Sequence, residues 1–104
     1  MSQERLDALN ALLAQDPNNS FVRYGLAQTL LSDGKLEQAA DAFQELIKLH
    51  PNYSAAYFHG GQTLEKLGRL EEARRVYEEG VVVSGRNGDL HTKKEIQGAL
   101  DLLP

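Results

Sequence analysis

GKLEQAADAF occupies residues 34–43, and GRLEEARRVY occupies residues 68–77. The two stretches start 34 residues apart. Each opens on a glycine, a cation, a leucine and a glutamate. Each then sets a small residue four places before an aromatic, Ala39 with Phe43 and Ala73 with Tyr77. A glycine stop followed by residues at helical spacing marks a turn leading into a helix. Carried outward at the same offset, residues 20–53 align with residues 54–87 without a gap. Nine positions are identical: Ser20/Ser54, Gln28/Gln62, Thr29/Thr63, Leu30/Leu64, Gly34/Gly68, Leu36/Leu70, Glu37/Glu71, Ala39/Ala73 and Glu45/Glu79. Similar pairs such as Tyr24/Phe58 and Phe43/Tyr77 fall in the same alignment.

Each unit reads as two helices around a turn. Ser20 and Ser54 are expected N-caps, since a hydroxyl can accept from an orphan N–H of the first turn. Val22, Leu26 and Leu30, and then Tyr57, Leu64 and Leu67, recur at helical spacing. Gly34 and Gly68 stop these helices. The following helices, about 36–49 and 70–83, are expected to end at Pro51 and Gly85.

This 34-residue pattern resembles the tetratricopeptide repeat, whose signature runs W-x2-L-G-x2-Y, then A-x3-F, then P. The signature places hold Arg23, Leu26, Ala27, Leu30, Ala39, Phe43 and Pro51 in the first unit. In the second they hold Tyr57, Gly60, Gly61, Leu64, Ala73, Tyr77 and Gly85. Arg23, Gly60 and Gly85 depart from the pattern, and leucines replace the tyrosine. The resemblance implies an all-α fold, a helix–turn–helix solenoid of about six helices. Residues 2–16 resemble half of a preceding repeat, 20–53 and 54–87 are the two full repeats, and 89–103 form a C-terminal capping helix. Asp89 is its expected N-cap, and Lys93, Lys94 and Glu95 its solvated face.

YFHGGQTL, residues 57–64, could suggest an oxyanion-hole loop, because His-Gly-Gly runs help build one in some hydrolases. The repeat places it inside a helix, where the N–H groups are engaged in the ladder. Gly25, Gly60, Gly61, Gly80 and Gly98 all fall in expected helix interiors. At roughly 1 kcal/mol each relative to alanine they cost about 5 kcal/mol. That implies tight packing at the glycines or self-association. Gly61 matches the small residue at the closest helix approach. Gly60 stands where the first unit has Leu26, which leaves a leucine-sized space to be filled by a neighbour, a partner or nothing.

The 104 residues suit one small domain, and the net charge of −4 comes from interspersed acids and bases. No basic stripe points to nucleic acid, and no apolar run approaches the ~20 residues of a membrane span. MSQERLDALN lacks the apolar core of a secretory signal, so a cytoplasmic location is expected. There is no cysteine, no G-x-S-x-G, no phosphate-binding loop and no H-E-x-x-H. No enzymatic activity, metal or other cofactor is expected.

Relatives of the resembling family bind peptides or partner-protein segments in a concave groove lined by the first helix of each unit. That implies Phe21, Tyr24, Gln28 and Leu31 from the first unit, and Ala55, Phe58, His59, Gln62 and Glu65 from the second. Tyr24 and Phe58 could bury a partner's side chain, and Gln28 and Gln62 could bond an extended backbone. Equally, Tyr24 and Phe58 could pack against each other or the last helix as core. A carboxylate clamp of Lys, Asn and Arg, used by one subset of the family, is not expected. Its places hold Tyr24, Gln28 and His59, with Asp89 and Lys93 in the last helix. A neutral, apolar or basic ligand fits better. The alternative function is a self-assembling protein whose groove or exposed end is filled by another copy. His59 is expected to be a partly exposed helix residue, and His50 to favour a helix C-terminus.

Overall fold

The computed structural model describes residues 2–104, which form six helices. They are α1 (Ser2–Gln15), α2 (Ser20–Ser32), α3 (Leu36–Leu49), α4 (Ser54–Lys66), α5 (Leu70–Arg86) and α6 (Leu90–Leu102). Each packs on its neighbour in the chain. In addition α2 touches α4, and α4 touches α6, whereas α1, α3 and α5 make no such contacts with one another. Rows of unequal closeness bend a solenoid toward the closer row. The α2–α4–α6 row is therefore the inner side of the array.

The turns follow from the residues that end each helix. Gly34 and Gly68 adopt φ of 76° and 77°, and their N–H groups bond Leu31 and Glu65 carbonyls. That left-handed step costs an L side chain energy and glycine none. The third such stop is Gly88, φ 73°, and not Gly85. Gly85 lies inside α5, which runs to Arg86 and so exceeds α3 by almost a turn. Ser20 and Ser54 are likewise not the caps. Asn19 caps α2, its side chain accepting from Val22 N–H at 3.0 Å. Ser54 opens α4 buried, and its Oγ accepts from Asn87 Nδ2 at 2.9 Å. Asp89 caps α6 as expected, accepting from Thr92 N–H.

The repeat also appears in the hydrogen bonds. Thr29 and Thr63 each donate back to the carbonyl four residues earlier, Gly25 and His59, both at 2.8 Å. These bonds satisfy a buried hydroxyl at the same place in each unit. The turn entering α2 is tied to the end of α3 through Asn18 O and His50 Nε2, 2.8 Å apart. The turn entering α4 is tied to the end of α5 by Asn87 Nδ2 donating to Asn52 O, also at 2.8 Å.

Two buried clusters fill the interior, and each has an aromatic at its centre. Phe43 sits with Leu6, Ala27, Leu30, Ala39 and Leu46; Tyr77 sits with Tyr57, Leu64, Ala73 and Ile96. Three of the helical glycines explain how the helices come so close. A Cβ on Gly61 would overlap the ring of Tyr77, and one on Gly80 would stand 2.6 Å from Tyr57 Cβ. The space expected at Gly60 is filled by a neighbour. A Cβ on Gly60 would lie 3.2 Å from Phe43 Cβ and 3.9 Å from Ile47 Cδ1, so α3 occupies it. Gly98, by contrast, faces open space.

On the outer side, Arg69 bridges two helices. Its guanidinium bonds Glu72 of α5 at 2.6 Å and reaches Glu37 of α3 at 3.4 Å. The equivalent residues one unit earlier are Lys35, Gln38 and Gln3. There the outer side is open, a hollow of about 510 Å³ lined by those three with Leu6, Leu26 and Leu30.

Candidate functional site

The inner faces of α2 and α4 carry a run of aromatic rings. The Tyr24 ring meets Tyr53 at 5.3 Å between centroids, His59 at 5.8 Å and Phe43 at 6.4 Å. Phe58 meets His59 edge-on at 5.2 Å, and Phe43 stacks on His59 at 6.4 Å. The tilted and edge-on arrangements place ring edges on ring faces, which the aromatic quadrupole favours. Phe43 is fully buried beneath; Tyr24, Tyr53, Phe58 and His59 remain partly exposed above it. These rings thus form a wall with a core side and a solvent side. Packing as core and presentation to solvent coexist in the same residues.

The other expected residues divide into engaged and free. Gln28 Nε2 donates to the Tyr24 hydroxyl at 3.2 Å, and Gln62 lies one turn after His59, partly buried. Glu65 accepts a short hydrogen bond from the buried Tyr77 hydroxyl, so one of its oxygens is committed to the fold. Burial and that bond push the Tyr77 phenol far above its ordinary range. Leu31 is partly buried against the first core cluster, and Ala55 is partly buried on α4. Phe21 stands apart. It is 78% exposed, one turn before Tyr24 on the same helix.

Two residues of this face were not expected. Tyr53 lies just before α4 and closes over Tyr24. Glu95 of α6 carries a charge that acts to raise the pKa of both Tyr24 and His59. A fixed 34-residue step selects Asp89 and Lys93 instead. The step from the start of α4 to the start of α6 is 36 residues, because α5 is longer than α3. Asp89 is accordingly a cap, and the stem of Lys93 lies over Gly85. Lys93, Lys94 and Glu95 are exposed, as a capping helix requires.

The three histidines are dispersed. His50 contacts Asn18 O, His91 lies 3.6 Å from Glu95, and His59 is among the rings. Burial holds the His59 pKa below its ordinary 6.5, against opposing effects of Gln62 and Glu95. The sign of the linkage follows. The unfolded chain then binds more protons than the folded one below pH 6.5, so stability rises with pH there. The contribution is complete above 6.5 and is lost as pH falls through the depressed value. Melting temperature should therefore fall on acidification before the carboxylates titrate near ~4. The His59→Gln variant, keeping His50 and His91, should show a flatter profile in that window; an identical slope would remove His59 as the cause.

Comparisons with known proteins agree with this architecture. A family model of the tetratricopeptide repeat matches residues 3–53 and 24–88. The tetratricopeptide repeat domain protein from Salinibacter ruber is 33% identical, with a TM-score of 0.75 over 79% of this chain and 91% of its own. A protein from Bordetella parapertussis is 30% identical, with a TM-score of 0.81 over 94% of this chain and 85% of its own. PcrH, solved in complex with the chaperone binding region of PopD, shares the fold. Its TM-score is 0.91 at 17% identity, over 98% of this chain and 77% of its own. No curated protein matches the chain.

Proposed function

Because the chain belongs to the tetratricopeptide repeat family, we propose that it is a non-catalytic adaptor. On this reading it binds a peptide or partner-protein segment along the inner face. The observation that carries the proposal is the exposure of Phe21, one turn before Tyr24, on a helix whose rings join the partly buried wall of Tyr24, Phe58 and His59. A phenylalanine at 78% exposure contributes little to its own fold, yet can bury a large apolar area in a complex. PcrH, whose fold is similar, is a precedent for a partner segment held by such an array.

The inner face offers no cluster of cations for a carboxylate group. Phe21, Tyr24 and Phe58 share this face with Gln28, Gln62 and Glu65, a mix that suits a short segment anchored by one or two apolar side chains. The rival reading, assembly with a second copy, had drawn support from five helical glycines. Phe43, Tyr77 and Tyr57 now occupy the space beside Gly60, Gly61 and Gly80, so those three require no second copy.

The test is capture of a partner from an extract of the native cells. Phe21→Ala with Phe58→Ala should weaken capture by at least about tenfold, the scale of central anchors. Phe21→Ala alone should leave the melting temperature unchanged. Equal capture by the double variant and the native protein would refute the reading.

A further inference from the structure

We infer that the bound segment presents a carboxamide, the side chain of an asparagine or glutamine, seated in a hollow beside Ser20. The inference deepens the binding reading above and rests on it. The second joint of the array already holds such a group in the equivalent place. There Asn87, at the end of α5, donates from one nitrogen to two acceptors, Asn52 O at 2.8 Å and Ser54 Oγ at 2.9 Å. Asn18 and Ser20 stand 34 residues before those two. In the first joint α3 ends earlier than α5 does, and it supplies His50 in place of an asparagine. His50 Nε2 lies 2.8 Å from Asn18 O and donates to it. Ser20 Oγ has no hydrogen-bond partner among the described residues. The space beside it is a hollow of about 360 Å³, lined by Ser20, Leu49, His50, Pro51, Asn52 and Tyr53.

A carboxamide matches what this hollow offers. Its nitrogen carries two donors, one for Ser20 Oγ and one for the second lone pair of Asn18 O. Its oxygen can accept from the side-chain amide of Asn52 on the wall of the hollow. Leu49, 38% exposed, and Pro51 offer apolar surface to the carbon stem. A carboxylate has the same shape but no donor, and it would set its charge against the Asn18 carbonyl. The hollow is continuous with the candidate site, since Tyr53 belongs to both and its ring meets Tyr24 at 5.3 Å. A segment anchored at the rings can therefore place its next polar side chain beside Ser20.

An NMR titration of nitrogen-15-labelled protein with acetyl-asparagine N-methylamide, and with its aspartate and leucine analogues, tests this. The asparagine compound should shift the backbone amides of Ser20 and Tyr53. It should bind about fivefold more tightly than either analogue, the scale of one net hydrogen bond. Ser20→Ala should melt like the native protein, because Asn19 and not Ser20 caps α2. In that variant the preference should shrink to about twofold or less. Equal binding of the three compounds, or no shift at Ser20 with any of them, would overturn the inference. So would a preference untouched by Ser20→Ala. Partner capture that still depends on Phe21 and Phe58 would then leave the groove reading standing. Capture indifferent to those two anchors, with asparagine still preferred at Ser20, would refute that reading instead.

Discussion

Replacing Gly61 by leucine should destabilise the protein by about 3 kcal/mol, at the upper end of the cost of overpacking a core. A single Cβ at this position already overlaps the Tyr77 ring. Tyr77 is fully buried and cannot move aside, because its hydroxyl is bonded to Glu65 and its ring is enclosed by the second core cluster. Chemical unfolding measures the loss. Gly98→Ala is the matched control: it is also a mid-helix glycine, but nothing lies within 4 Å of its added methyl. It should gain stability, up to about 1 kcal/mol, from helix propensity alone. If both variants shifted stability in the same direction, close approach would not be the reason for glycine at 61.

Phe43→Ala should cost about 3–5 kcal/mol, the range for removing a buried aromatic. Its second consequence reaches the candidate site. Phe43 lies under Tyr24 and His59 and fills the space beside Gly60. Without it, water gains access to His59 from below. The burial that holds the His59 pKa below 6.5 would weaken, and the pKa would rise toward that value. An NMR titration of His59, in a variant kept folded at low temperature, should show its pKa moving up. A folded variant with an unmoved His59 would separate the ring stack from the burial of the imidazole.

Helix number, order and pairing were legible in the sequence because the repeat is a pattern with a fixed period. Gly34 and Gly68 show why: a left-handed turn is a local demand that the residue itself announces. Features requiring knowledge of a neighbour were less legible. Ser20 and Ser54 carry the right side chain for a cap, but Asn19 competes for the first, and Asn87 engages the second from another turn. Gly60, whose counterpart is Leu26, left three possible occupants open, and only the facing helix decides between them. Glu95 was obscured by the extra length of α5, which ends the 34-residue step before α6. Within the candidate site, Phe21, Tyr24 and Phe58 were placed by the resemblance to the repeat family. That Gln28 and Glu65 spend polar atoms on the fold could not be read, since their partners were visible only in three dimensions.

The unequal spacing of the two rows has a mechanical meaning. A beam whose inner edge is continuous and whose outer edge is interrupted bends about the inner edge. Here that pivot is the α2–α4–α6 line, and strain on loading collects in the outer gaps. One gap is bridged by Arg69 between Glu37 and Glu72, while the α1–α3 gap is lined by Lys35, Gln3, Asn10, Gln38 and Asp41 with no ion pair across it among the described residues. The bridged joint is therefore expected to be the stiffer of the two. Because the bridge is ionic and partly exposed, raising salt should bring the two stiffnesses together.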